Sequence, residues 1–106
     1  MGPSGDLAPA EALLQESIAL NSQFWEAHFQ LGLLFEQKRD FAKAAAALQR
    51  AAQLNARSSA VHYRLARLYD RLNQPDRAAR ERALHQKYAE EEKAATGPNR
   101  LNLVVR

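Results

Sequence analysis

Apolar residues recur along this chain at helical spacing, in five blocks separated by short polar breaks. The first block predicts a helix over roughly Pro9–Leu20. Leu13, Leu14 and Ile18 share a stripe, Pro9 suits a first turn where its missing N–H needs no partner, and Asn21-Ser22 breaks the pattern. The second is expected over roughly Phe24–Lys38. Trp25, Phe29, the Leu31–Leu34 cluster and Phe35 make it apolar over much of its girth, as in helices with neighbours on two sides. Arg39-Asp40 marks a turn. The third helix, roughly Phe41–Leu54, is rich in alanine, which allows close helix approach, while Leu48 and Leu54 supply larger packing. Asn55 is expected to end it in a left-handed conformation. The fourth runs from about Ser58 to Leu72, with Ser58 or Ser59 as cap and Val61, Leu65, Leu68, Tyr69 and Leu72 as its stripe. After Asn73-Gln74, the fifth starts at Pro75 and runs to about Ala95. It keeps Ala78, Ala79 and Ala83 near its start and turns polar from Lys87, so Glu90, Glu91 and Glu92 read as a solubilising end projecting into solvent.

The blocks also repeat. His28, Leu31, Gly32, Phe35 and Ala44 return 34 residues later as His62, Leu65, Ala66, Tyr69 and Ala78. Residues 5–22 align with 39–56 at the same spacing, with 8 of 18 pairs identical, among them Asp6/Asp40, Leu14/Leu48 and Asn21/Asn55. A fixed period of this size means stacked supersecondary units. The pattern resembles the tetratricopeptide repeat, a helix–turn–helix unit of 34 residues. His28, Leu31, Gly32, Phe35, Phe41, Ala44, Leu48 and Ala51 carry the likeness in residues 25–58, and His62, Leu65, Ala66, Tyr69 and Ala78 in residues 59–92. Arg82 and His85 stand where Leu48 and Ala51 stood, a departure that suits a terminal helix.

The resemblance implies an all-α, right-handed α-solenoid of antiparallel helix pairs, with a repeat domain over residues 5–95. A partial repeat spans 5–24, full repeats span 25–58 and 59–92 with an extended last helix, and a tail covers 96–106. Residues 1–4 read as an expression remnant or linker. The partial repeat lacks its first helix, so the chain is expected to be a fragment of a larger scaffold or adaptor, or to self-associate through its open N-terminal helix or its apolar tail, Leu101–Val105.

The resemblance further implies that the first helix of each unit lines a concave groove for an extended or helical peptide. The groove positions are then Glu26, Phe29, Gln30, Leu33, Glu36 and Gln37 in one unit and Tyr63, Arg64, Arg67, Asp70 and Arg71 in the next. Phe29, Gln30, Leu33, Gln37, Tyr63, Arg64, Arg67 and Arg71 are the candidate contact residues. Phe29 and Leu33 form an apolar pair, and Arg64, Arg67 and Arg71 are spaced to share one helix face. Such a groove fits a protein or peptide partner that is acidic and carries an apolar anchor, because guanidinium grips carboxylate bidentately. The competing reading leaves the arginines solvated or paired with Asp70. Repeats that grip chaperone C-termini use a Lys/Asn constellation; the comparable positions here hold Phe29, Leu33 and Arg64, so that specificity does not carry over.

Composition narrows the alternatives. The chain has 106 residues, 46% of them hydrophobic and 25% charged, enough for one domain with a modest core. It has no cysteine, which rules out disulfides and thiolate metal sites. No apolar run approaches the ~20 residues of a membrane span, and the first residues lack the basic and apolar regions of a secretory signal. The net charge of +3 divides into −2 over residues 1–56 and +5 over residues 57–106. A basic half could draw in an acidic protein. Nucleic acid is the weaker alternative, because the arginines are interleaved with acids and Tyr69 belongs to the repeat core. No nucleophile elbow, glycine-rich phosphate loop or HExxH motif is present, so the chain reads as non-enzymatic. Consecutive glutamates on a helix point about 100° apart and do not converge as a catalytic pair. His28 and His62 read as core histidines, since two ligands do not make a metal site. No cofactor is expected, and the compartment is open.

Overall fold

The computed structural model describes residues 7–96. The order is α1 (Leu7–Leu20), α2 (Trp25–Gln37), α3 (Phe41–Leu54), α4 (Ser59–Arg71) and α5 (Pro75–Thr96). The expected helices are there, with shifted ends. α1 begins earlier because Leu7 packs on the core. Phe24 and Lys38 lie outside α2 as its caps, and Ser58 and Leu72 do the same for α4. The N-terminal remnant and the tail Leu101–Val105 lie outside the described residues.

The repeat is written into the backbone. At the α2–α3 turn, Lys38, Arg39 and Asp40 donate to the carbonyls of Leu34, Glu36 and Phe35. At the α4–α5 turn, Leu72, Asn73 and Gln74 donate to those of Leu68, Asp70 and Tyr69, each 34 positions on. These bonds satisfy carbonyls that a helix end would otherwise leave open. Both turns close through one left-handed residue, Arg39 at φ 63 and Asn73 at φ 59. Asparagine accepts that conformation readily, whereas an ordinary L-residue gives up about 1 kcal/mol there. Asn55 is not left-handed as expected. It sits at φ −141, and the chain turns after it, through Ala56 and Arg57, where Ser58 N donates to the Asn55 carbonyl at 3.4 Å. Ser58 Oγ then accepts from Val61 N at 3.4 Å, capping α4.

Each helix packs chiefly on its chain neighbours. The core lies where α2, α3 and α4 meet, with Leu48, Val61, Leu65 and Leu68 wholly enclosed. α1 has no buried residue. Leu14 and Ile18 lean on the core, but Leu13 is 66% and Leu20 84% exposed. At the other end α5 buries only Ala78.

Candidate functional site

Leu33 and Glu36 of α2, Arg64 and Arg71 of α4, and Arg39 and Phe41 at the α2–α3 turn enclose a cleft of about 300 Å³. Gln37 closes its rim. These residues converge because α2 and α4, each the first helix of a repeat, present the same face to the groove. Arg64 Nη1 lies 3.7 Å from Glu36 Oε1, a charge contact longer than a hydrogen bond. That oxygen is buried and accepts no hydrogen bond from a described residue. The guanidiniums of Arg71 and Arg39 lie 4.9 and 5.4 Å from the centre of the Phe41 ring. An aromatic face holds a cation in place while leaving its edge N–H groups free. The result is a polar cleft with an apolar wall and more positive than negative charge.

Of the candidate contact residues, Leu33, Gln37, Arg64 and Arg71 meet in this cleft. Gln30 lines a second cleft, about 410 Å³, against Leu13 and Leu14 of α1. Phe29 packs on Trp25, ring centres 6.0 Å apart. Arg67 turns to its own helix, where it donates to Tyr63 Oη at 3.2 Å and lies 5.7 Å from that ring's centre. The hydrogen bond to Tyr63 is the first cause of a raised pKa at Arg67. Asp70, expected on the groove, instead receives a hydrogen bond from Arg82 of α5 at 2.9 Å. It therefore pairs with neither Arg64, whose charge contact is Glu36, nor Arg71, which has no ion pair among the described residues. Sequence reasoning missed Arg39 and Phe41, because attention to helix faces passed over the turn between them. The one available signal was Arg39 standing in register with Asn73, a residue suited to a left-handed turn.

A second polar cluster ties α5 to the start of α4. Glu92 is exposed and Glu91 partly so, as expected of a polar end, but both also reach α4 and the loop before it. Arg57 donates to Glu91, and Glu92 accepts from Ser59 Oγ at 2.7 Å and Ser59 N at 3.2 Å. The first turn of a helix has free N–H groups, so a neighbouring carboxylate is drawn to it. These bonds hold the Glu92 carboxyl below its usual range, the Ser59 side chain contributing most.

His28 and His62 are both buried and both reach back six residues. Their Nε2 atoms donate to the carbonyls of Ser22 at 3.1 Å and Ala56 at 2.7 Å. His62 Nδ1 also lies 2.7 Å from Glu81 Oε1, and its ring stacks on Tyr88. They serve as staples between a helix and the loop that precedes it. Among the described residues, no three His, Asp or Glu side chains gather as metal ligands. No described helix is long and apolar enough to cross a membrane.

A sequence model described as "Tetratricopeptide repeat" matches residues 34–83. No curated protein matches the sequence. Among solved structures, the crystal structure of MamA superposes with a TM-score of 0.80 at 20% sequence identity. The match covers 84% of this chain and 52% of MamA, so the chain spans about half that protein's length. At this identity the likeness establishes the solenoid fold.

Proposed function

Because the chain belongs to the tetratricopeptide repeat family, whose members serve in protein–protein interaction, we propose that its concave face binds a peptide segment of a partner protein. The segment is extended or helical, carries a carboxylate and is anchored by an apolar residue beside Leu33. The observation that carries this reading is the cleft itself: Arg64 and Arg71 face it, and Asp70 is engaged elsewhere. A charge-assisted hydrogen bond contributes about 1.5–3 kcal/mol when water is excluded. The role is binding and scaffolding rather than catalysis.

Panning a random peptide library against the protein tests the reading. The expected enrichment is for Asp or Glu next to an apolar residue, and it should disappear with the Arg64→Ala/Arg71→Ala variant. Affinity of a selected peptide should fall by at least about tenfold, the loss of one charge-assisted contact. Enrichment of neutral or basic peptides, or enrichment that the variant leaves unchanged, would sink it.

A further inference from the structure

We propose that Arg39, in the turn between α2 and α3, grips carboxylate in this groove and sets, with Arg64 and Arg71, its preference for an acidic peptide. The inference rests on the groove reading and adds to it a residue from outside the groove helices.

The turn itself does not ask for arginine. The Arg39 and Asn73 turns share the same hydrogen-bond pattern and the same left-handed φ, 63 and 59. Glycine or asparagine meets that backbone demand with less strain. What arginine adds is a guanidinium 5.4 Å from the centre of the Phe41 ring, the same ring that holds the Arg71 guanidinium at 4.9 Å, with all three residues lining the cleft. Neither Arg39 nor Arg71 forms an ion pair with another described residue. Among the described residues that line the cleft, Glu36 is the one carboxylate, so three guanidiniums face a single negative charge. A carboxylate entering the cleft meets three planar donor groups, two of them oriented by one aromatic ring. Sparsely populated backbone conformations concentrate at functional positions.

The test is an NMR titration with hexaglutamate that follows the arginine Nε–H signals of the wild type, Arg39→Asn and Arg64→Ala. In the wild type, the Arg39, Arg64 and Arg71 signals should shift together along one saturable curve. Those of Arg77 and Arg80 on α5 should stay put. Arg39→Asn should weaken hexaglutamate about tenfold, the loss of one charge-assisted contact. Its melting temperature should hold or rise by a few degrees, since asparagine fits the turn. If Arg64→Ala weakens binding and Arg39→Asn does not, the inference about Arg39 fails while the groove reading stands. If none of the three signals moves, the groove reading fails with it. A lower melting temperature for Arg39→Asn would show that the arginine serves the fold, and equal shifts at Arg77 and Arg80 would reduce the effect to general charge attraction. Either result would overturn the proposal.

Discussion

Gly32 and Ala66 occupy the same point of the first helix in the two full repeats, and their surroundings differ. A Cβ on Gly32 would lie 2.6 Å from Leu48 Cγ, 2.9 Å from Leu48 Cδ2 and 3.3 Å from the Ala44 carbonyl oxygen. In the second repeat Ala66 keeps its Cβ at 3% exposure. Leu48, wholly buried, has Arg82 as its counterpart, and Arg82 runs out to Asp70. The difference follows from position in the stack. α3 has α2 on one side and α4 on the other, so it buries Ala44, Ala45, Ala47, Leu48 and Ala51. α5 packs chiefly on α4, and its outer face is polar. α5 is the last of the described helices, and a polar face of this kind suits a helix that has no further repeat packed on it.

Truncating the paired positions tests this difference most severely. Leu48→Ala should cost about 2–5 kcal/mol, since an enclosed leucine leaves a cavity between three helices. Arg82→Ala should stay within about 0.5 kcal/mol, as for an exposed side chain with one surface ion pair. Gly32→Ala gains about 1 kcal/mol of helix propensity. It loses more through overpacking, because Leu48 is hemmed in on all sides; the net is a loss of roughly 1–2 kcal/mol. In a Leu48→Ala background the new methyl has room, so the two changes should combine to less than their sum. Urea denaturation reads all four. Equal costs at Leu48 and Arg82 would mean that α5 is an interior helix, and the contrast between the repeats would fall.

The histidines repeat the contrast at a smaller scale. His28 hydrogen-bonds to the Ser22 carbonyl, while His62 adds Glu81 and a stacked Tyr88. His28→Ala should cost about 1 kcal/mol, the value of one buried hydrogen bond. His62→Ala should cost about 1–2 kcal/mol more, because Glu81, only 18% exposed, loses its hydrogen-bond partner as well. The same denaturation series measures both, and equal losses would show that the α5 partners contribute nothing.

The parts legible in the sequence were those set by period and local propensity. Apolar spacing located the helices, and the recurrence of His28, Gly32 and Ala44 as His62, Ala66 and Ala78 located the repeats. Of the cleft residues, Leu33, Gln37, Arg64 and Arg71 followed from the family resemblance, with which the spacing of Arg64 and Arg71 on one helix face agrees. The remainder depends on where long polar side chains go once the helices have docked. Arg67 bends to Tyr63, Asp70 is taken by Arg82, and Arg39 lines the cleft from a left-handed turn. None of these is set by spacing along a single helix. The acids of α5 are at the surface, as their run suggests, but their bonds to Arg57 and Ser59 depend on how α5 docks and are not legible along one helix.

Those acids give the smallest effect and one with a definite pH signature. Glu92 accepts from the Ser59 hydroxyl and amide, and those bonds hold its carboxyl below the usual range. A depressed folded-state pKa contributes stability that is present above the unfolded value, near ~4.3, and is lost as pH falls through the folded one. Glu92 is largely exposed, so solvent screening keeps the contribution under about 1 kcal/mol. Glu92→Gln should therefore be slightly less stable than the wild type at about pH 7, and the gap should narrow as pH falls below about 4.3. Substitutions at Ser58 are not its equivalent. Ser58 stands in register with Glu92 one repeat earlier, yet it caps α4 from within its own chain segment. Interior α3 thus hands on to a helix that carries its own cap, whereas α5 reaches back to cap its neighbour. If the gap between Glu92→Gln and the wild type persists unchanged at about pH 3, well below the unfolded value, the acids of α5 do not fasten the end of the stack.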